Sequence, residues 1–250
     1  MALVPKISGL EIRKALPGSD DYVAARRLHG VCYVEAGYVL EDDLDDRGWI
    51  EDIWVPVSDY FIAVESETGE IVGTCRAIRP TVRGLPAFIE APTHSEAMAM
   101  FADIDPNQCF EISALATRRT GRRNTGISAM LYATVMQEAL AHDRAYLIAL
   151  MDNRFLQLMR RWFHFPFEAV GRSLAYMGSP STPVALYVPR VVEYHREHLP
   201  ESLSFFCGDI ARDELHGLVI DLRNRVPEYQ MPVLDLTVVE ETPGSYVEQS

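Results

Sequence analysis

The sequence predicts a mixed α/β fold, one sheet with helices on its faces followed by a helical extension. Three observations carry that expectation. Short apolar runs alternate with helix-length segments between residues 10 and 188. The run Cys109–Thr117 leads through a glycine-containing loop into a segment with Ile127, Met130, Leu131, Val135 and Ala139 on one helical face. Beyond Pro189 the strand-like runs give way to helical ones.

In order, Leu10–Leu16 is expected as an opening strand closed by Pro17-Gly18. Ser19 and two aspartates are N-cap material for a helix over Tyr22–Ala36, which Gly37 ends. An acidic run, Glu41 to Asp46, reads as a solvated loop and leads to Trp49, Glu51, Asp52 and Trp54. Tyr60–Glu65 and Glu70–Ile78, joined at Thr68-Gly69, form an antiparallel hairpin that Arg79-Pro80-Thr81 stops. A short helix is expected over Ser95–Phe101, a central strand over Cys109–Thr117 and a helix over Thr125–His142. Ala145–Met151 is short and apolar enough for a buried strand, and Asp152 caps a helix through Trp162. Phe165–Gly171 and Thr182–Val188 close the sheet; Val191–His198 and Asp209–Asn224 are helical, and an acidic tail with weak strand character runs from Pro227.

Composition narrows the function. The chain has 250 residues, 48% hydrophobic and 24% charged, which is ordinary globular material with enough apolar mass for a core. A net charge of −13 excludes broad nucleic-acid binding, because a phosphate backbone demands a basic face. Cys32, Cys75, Cys109 and Cys207 form no C-x-x-C pair, so neither a metal site nor a disulfide framework is suggested; reduced thiols in a cytoplasmic protein are expected. Residues 1–18 lack the apolar run of a signal peptide, and no stretch reaches the roughly 20 apolar residues that span a bilayer.

The loop Arg118-Arg119-Thr120-Gly121-Arg122-Arg123-Asn124-Thr125-Gly126-Ile127-Ser128 inverts that charge locally, with four arginines between Arg118 and Arg123. It sits between a strand and a helix, where free backbone N–H groups and the helix dipole suit a phosphate. Gly126 lets the backbone approach closely. A phosphorylated ligand or an acidic carrier protein is one reading, and a solvated basic turn is the other. Neither G-x-x-x-x-G-K-[ST] nor G-x-G-x-x-G occurs, so nucleotide hydrolysis and dinucleotide binding have no support.

Arg123-Asn124-Thr125-Gly126-Ile127-Ser128 resembles the R/Q-x-x-G-x-G/A loop of the GNAT acyltransferase superfamily, with Ser128 in place of the last small residue. The chain is more narrowly similar to the N-acyl amino acid synthases and the related acyl-homoserine-lactone synthases. Ile71-Val72-Gly73-Thr74-Cys75-Arg76 with Pro80-Thr81, Phe110-Glu111-Ile112-Ser113, and Tyr146-Leu147-Ile148 followed by Phe155 to Phe165 carry that likeness. It covers roughly Ala25 to Val188. It departs at Ala114, where the strand often carries arginine, and in the first helix, where an R-x3-F-x5-W pattern counted from Arg27 meets Val31 and Gly37. The second departure points to an amine acceptor other than S-adenosylmethionine.

The resemblance implies a GNAT-like, mostly antiparallel twisted sheet with splayed central strands over residues 1–190; the helical pattern that follows predicts a helical extension and tail, 191–250, packed on it. It implies no permanently bound cofactor; the donor is an acyl thioester of phosphopantetheine, on acyl carrier protein or CoA. Arg118, Arg119, Arg122, Arg123, Gly126, Ile127 and Ser128 would hold that donor. The acceptor is a primary amine of an amino acid or similar small molecule. Glu111 is the candidate general base, with a strand glutamate paired to arginine as the alternative. Arg76 would position an acceptor carboxylate or serve a structural ion pair. Glu51, Asp52, Trp54 and Ser113 fall on the acceptor side, although a plain surface loop also accounts for the first three. Phe155 and Trp162 belong to an apolar group that is either core or acyl tunnel. A short-chain acetyltransferase and a non-enzymatic thioester-binding protein remain competing functions.

Overall fold

The computed structural model describes residues 8–118 and 124–228, without the side chains of Asn124, Thr125 and Trp162. In chain order the elements are β1 (Leu10–Ala15), α1 (Asp20–Glu35), β2 (Ser58–Glu65), β3 (Ile71–Ile78), α2 (Pro86–Glu90), α3 (Ser95–Asp103), β4 (Cys109–Thr117) and α4 (Asn124–Ala141). They continue as β5 (Tyr146–Asp152), α5 (Asn153–Phe163), β6 (Glu168–Ala169), β7 (Leu174–Tyr176), β8 (Ser179–Tyr187), α6 (Val188–His198), α7 (Pro200–Cys207) and α8 (Arg212–Arg225). The strands form one sheet of order β1-β2-β3-β4-β5-β8-β6, with β7 also paired to β8. All pairings are antiparallel except β4–β5. The fold is therefore the expected mixed, mostly antiparallel sheet flanked by helices, with a helical extension.

Alternation along the strands sends side chains to two faces. Phe61, Cys75, Phe110 and Ile112 pack with Ile127, Leu131, Val135 and Met136 of α4 in the largest core. The opposite face holds a core around Tyr146, Ile148 and Tyr187 under α2 and α3, and another of Ala25, Tyr60, Ile62 and Val64 under α1. Helix α8 contributes Leu215 and Val219 to the first core and Leu222 to the second. Its exit is fixed by Tyr146 and Tyr187, whose hydroxyls donate to the carbonyls of Pro227 and Val226 at 2.8 and 2.7 Å.

Local chemistry explains the helix limits. Ser19 Oγ accepts from the Tyr22 amide at 3.2 Å, and Asp152 Oδ1 accepts from Arg154 and Phe155 amides at 2.9 and 3.0 Å. Helix α5 ends at His164 in the left-handed conformation, φ 52°. The strand expected over Phe165–Gly171 contracts to two residues. Pro166 has no amide to donate, the Phe167 amide turns back to the Phe165 carbonyl, and the Arg160 guanidinium occupies the Phe167 carbonyl. Helices α2 and α7 and strand β7 lay outside the expected elements; α2 and β7 are too short to show a period. The expected division at residue 190 falls inside α6, where Pro189 occupies the first turn. The tail from residue 229 lies outside the described residues.

Two glycines give opposite expectations. At Gly30 on α1 a Cβ would meet the Gly48 carbonyl oxygen at 2.4 Å, whereas at Gly217 on α8 it would meet open space. Gly30→Ala should lower stability by about 1–3 kcal/mol by overpacking against backbone. Gly217→Ala should raise it by about 0.5–1 kcal/mol through helix propensity. Urea unfolding of both variants checks the pair of signs.

Candidate active site

Strands β4 and β5 run side by side for only three residue pairs, Cys109–Glu111 with Tyr146–Ile148. Past Glu111 they part. β4 then bulges: Arg76 faces Ser113 and Thr74 faces Ala116, so Ala114 and Leu115 together oppose Cys75. Ala114 sits at φ 50°, a left-handed conformation that few residues with a Cβ adopt. The parting opens a cleft of about 300 Å³. Ser113, Ala114 and Leu115 line one wall, and Ala149, Leu150 and Met151 the other. Ser128, Tyr132 and Phe155 close it toward α4 and α5; Tyr33, Tyr38 and Tyr176 close it on the face of α1.

The polar residues gather on that second face. Arg76 is 5% exposed. Its guanidinium donates to Asp52 Oδ2 at 2.7 Å and to Ser113 Oγ at 3.2 Å, and its Nε is buried without a partner. The other oxygen of Asp52 accepts from the Trp54 amide at 2.9 Å. Trp54 Nε1 donates to Glu90 at 3.3 Å. Glu51 faces outward, pairing with Arg26 at 3.1 Å and Arg47 at 2.7 Å. The guanidinium carbons of these arginines lie 4.3 and 3.8 Å from the Trp49 ring centroid.

Glu111 lies two residues before Ser113 on the same face and is 2% exposed. Its Oε2 accepts from the Ala87 amide, in the first turn of α2, at 2.8 Å. Burial pushes its pKa up to about 8; the Ala87 amide and Arg76 oppose the rise, and Glu90 adds to it. Among the described residues Glu111 makes no ion pair, so the alternative of a glutamate paired to arginine is not the arrangement found. It is covered by α2 and does not line the cleft wall.

The donor-side residues divide. Arg118 is exposed and pairs with Glu70 at 2.6 Å. Arg119, Arg122 and Arg123 lie outside the described residues. Gly126 and Ser128 sit in the first turns of α4, with Ser128 lining the cleft. The Ile127 side chain is committed to the core: a Cβ on Gly73 would stand 2.6 Å from it, which leaves only its backbone for a ligand. Phe155 both packs on the core and lines the cleft, its ring 5.7 Å from Tyr132. The Trp162 side chain lies outside the description.

Sequence reasoning missed Tyr33, Tyr132, Tyr176 and Glu90. Tyr33 had a faint signal, seven residues after Arg26 on one helical face. Between them His29 is buried with Nε2 unpartnered and its pKa lowered to about 3 by burial, Arg76 and Arg26. Glu90 and Tyr176 meet across 86 residues of chain, and no local pattern announces that.

Two outcomes follow. Folded Glu111 holds its proton more tightly than an unfolded carboxyl near 4.5, so its contribution to stability is full below pH 4.5 and is lost as pH rises through about 8. Glu111→Gln should therefore flatten the fall of melting temperature across that window. Asp52→Ala leaves the Arg76 charge buried without its counter-ion and should cost about 2–3 kcal/mol in urea unfolding, less than a fully buried pair because Asp52 is partly exposed.

No protein-family model matches the chain, and no curated protein matches it in sequence. Solved structures do. FeeM, an N-acyl amino acid synthase from uncultured soil microbes, superposes with a TM-score of 0.57 at 20% identity, over 74% of this chain and 93% of that one. BjaI, a CoA-dependent acyl-homoserine lactone synthase determined with SAM and isopentyl-CoA, gives 0.54 at 17% identity, over 90% of this chain and 95% of that one. TofI, in a ternary complex with an inhibitor and MTA, gives 0.54 at 15% identity, over 72% and 91%. The chain thus resembles the N-acyl amino acid and acyl-homoserine lactone synthases in fold.

Proposed function

We propose that the protein is an N-acyltransferase, moving a medium or long acyl group from a phosphopantetheine thioester to the primary amine of an amino acid or similar acceptor. The supporting observation is the cleft between β4 and β5, with the start of α4 at one end and the Arg76–Asp52–Ser113–Glu111 group beside the other. Among the described residues no strand pairs with the facing edge of β4 beyond Glu111, which suits that edge to an extended thioester arm. The similarity to FeeM and BjaI supports the same class, with acyl carrier protein or CoA carrying the thioester.

In this reading Arg118, Arg119, Arg122, Arg123 and the backbone around Gly126 receive the phosphates, and Phe155 borders the acyl chain. The amine nitrogen attacks the thioester carbonyl, the C–N bond forms, and the C–S bond breaks to release a thiolate. The nitrogen must also lose a proton. Glu111 takes it through a water once deprotonated, and holding both substrates in one cleft supplies much of the rate. Arg76, already charge-paired to Asp52, orients an acceptor carboxylate. Apolar lining from Ile112, Leu115 and Phe155 gives the acyl group more room than an acetyl needs, which favours longer chains over the acetyltransferase alternative.

Acyl-CoA and acyl carrier protein thioesters of graded length, mixed with an amino-acid panel and a thiol reagent, test the proposal. Thiol release should depend on the amine and rise with pH through about 8. Glu111→Gln should slow it by roughly a hundredfold or more with donor affinity retained. Absence of release at every chain length rejects the proposal, and unchanged release in the variant removes Glu111 as the base.

A further inference from the structure

Strands β7 and β8 form a hairpin whose two-residue turn is Met177-Gly178, at φ 44° and 76°. Two positive φ values suit the twist of a tight hairpin, but a side chain at the first costs about 1–2 kcal/mol that glycine would avoid. Met177 nevertheless stands there, and it lines the cleft with Tyr176. The turn reaches the other side of the opening: a Cβ on Gly178 would stand 2.9 Å from the Gly37 carbonyl oxygen, just past α1, beside Tyr38. Between them the hairpin tip and the end of α1 close the cleft on its polar face.

The hairpin is held at both ends. At its root Asn153 bonds Ser173 and Thr182 at 2.9 and 2.6 Å, and the Arg172 amide donates to the Pro92 carbonyl at 3.0 Å. At its tip Tyr176 Oη donates to Glu90 Oε2 at 2.7 Å, and the other oxygen of Glu90 accepts from Trp54. A continuous chain therefore runs Ser113–Arg76–Asp52–Trp54–Glu90–Tyr176, from one wall of the cleft around its polar face to the ring that closes that face. With its hydroxyl engaged outside the cleft, Tyr176 offers the cleft a ring and no acid or base.

We propose that Tyr176, fixed by Glu90 and Trp54, sets the width of the acceptor end of the cleft and so determines which amines are acylated. The proposal rests on the acyl-transfer reading and adds a specificity-determining residue to it. The ring is the wall, and the hydrogen-bond chain keeps it at a set distance from Ser113. Removing the ring opens room for a bulkier acceptor; removing only the hydroxyl loosens the wall and weakens acceptor binding.

The test measures thiol release from octanoyl-CoA with glycine, leucine and tryptophan as acceptors. In Tyr176→Ala the tryptophan-to-glycine ratio of kcat/KM should rise at least tenfold, the scale on which pocket size discriminates substrates. Tyr176→Phe should raise acceptor KM three- to tenfold at constant donor KM. Glu90→Gln, which has one acceptor oxygen for the two donors Tyr176 and Trp54, should raise acceptor KM in the same direction as Tyr176→Phe, again at constant donor KM. Acceptor ratios unchanged in Tyr176→Ala, or donor and acceptor KM moving together, would overturn the proposal. Calorimetric binding of the same three amino acids needs no turnover: an unaltered affinity order in Tyr176→Ala rejects the wall even if the wild type releases no thiol. Failure of release alone counts against the acyl-transfer reading.

Discussion

The rest of the molecule depends on one interruption in the sheet, the loss of pairing between β4 and β5 after Ile148. A sheet is stable because each strand satisfies the backbone groups of the next. Opening it in the middle leaves an edge where water or a ligand must take the place of a strand. The protein secures the opening from both directions. β4 is tied to β3 through a bulge, and β5 is tied to β8 over seven consecutive residue pairs, Tyr146–Asp152 with Tyr187–Ser181. Helix α4 packs across the sheet from the other side, so the two halves stay in place although they do not touch along the cleft.

The polar face follows from the same interruption. Arg76, Ser113 and Glu111 stand on adjacent strands and point to one side because the register across β3 and β4 puts them there: Arg76 opposite Ser113 and Ile78 opposite Glu111. Their different states come from what covers them. Arg76 meets a carboxylate and keeps its charge. Glu111 meets an amide and apolar residues of α2, which favours the neutral acid until the pH approaches 8. A carboxyl with that environment, beside an opening able to hold an extended ligand, is a natural place for proton transfer.

Much of the architecture was legible because it is local. Ser19 and Asp152 cap helices by contacts within three residues, the Ile127-to-Ala139 face repeats at helical steps, and the Thr68-Gly69 turn announces its hairpin. The resemblance suggested Arg76, Asp52, Ser113 and Glu111; in the structure Arg76 bonds both Asp52 and Ser113, and Glu111 stands two residues before Ser113 on the same face. The Phe165–Gly171 strand misled, because its apolar alternation could not reveal that Arg160 and Pro166 deny it ladder hydrogen bonds. At Ile127 the motif gave a position and not a side-chain role: the side chain belongs to the core, and only the backbone is left for a ligand.

The sequence by itself determined the longer helices and strands of the sheet, the basic loop before α4, and the kinds of side chain that stand on each strand, since these rest on caps, turns and periodicity within a few residues. Only the tertiary structure decided which groups share an environment. It set the proton affinity of Glu111, because burial under α2 is a property of the assembled layers. It also joined Trp54, Glu90 and Tyr176 across more than a hundred residues, since a hydrogen bond between distant segments exists only once the sheet has fixed where each segment lies.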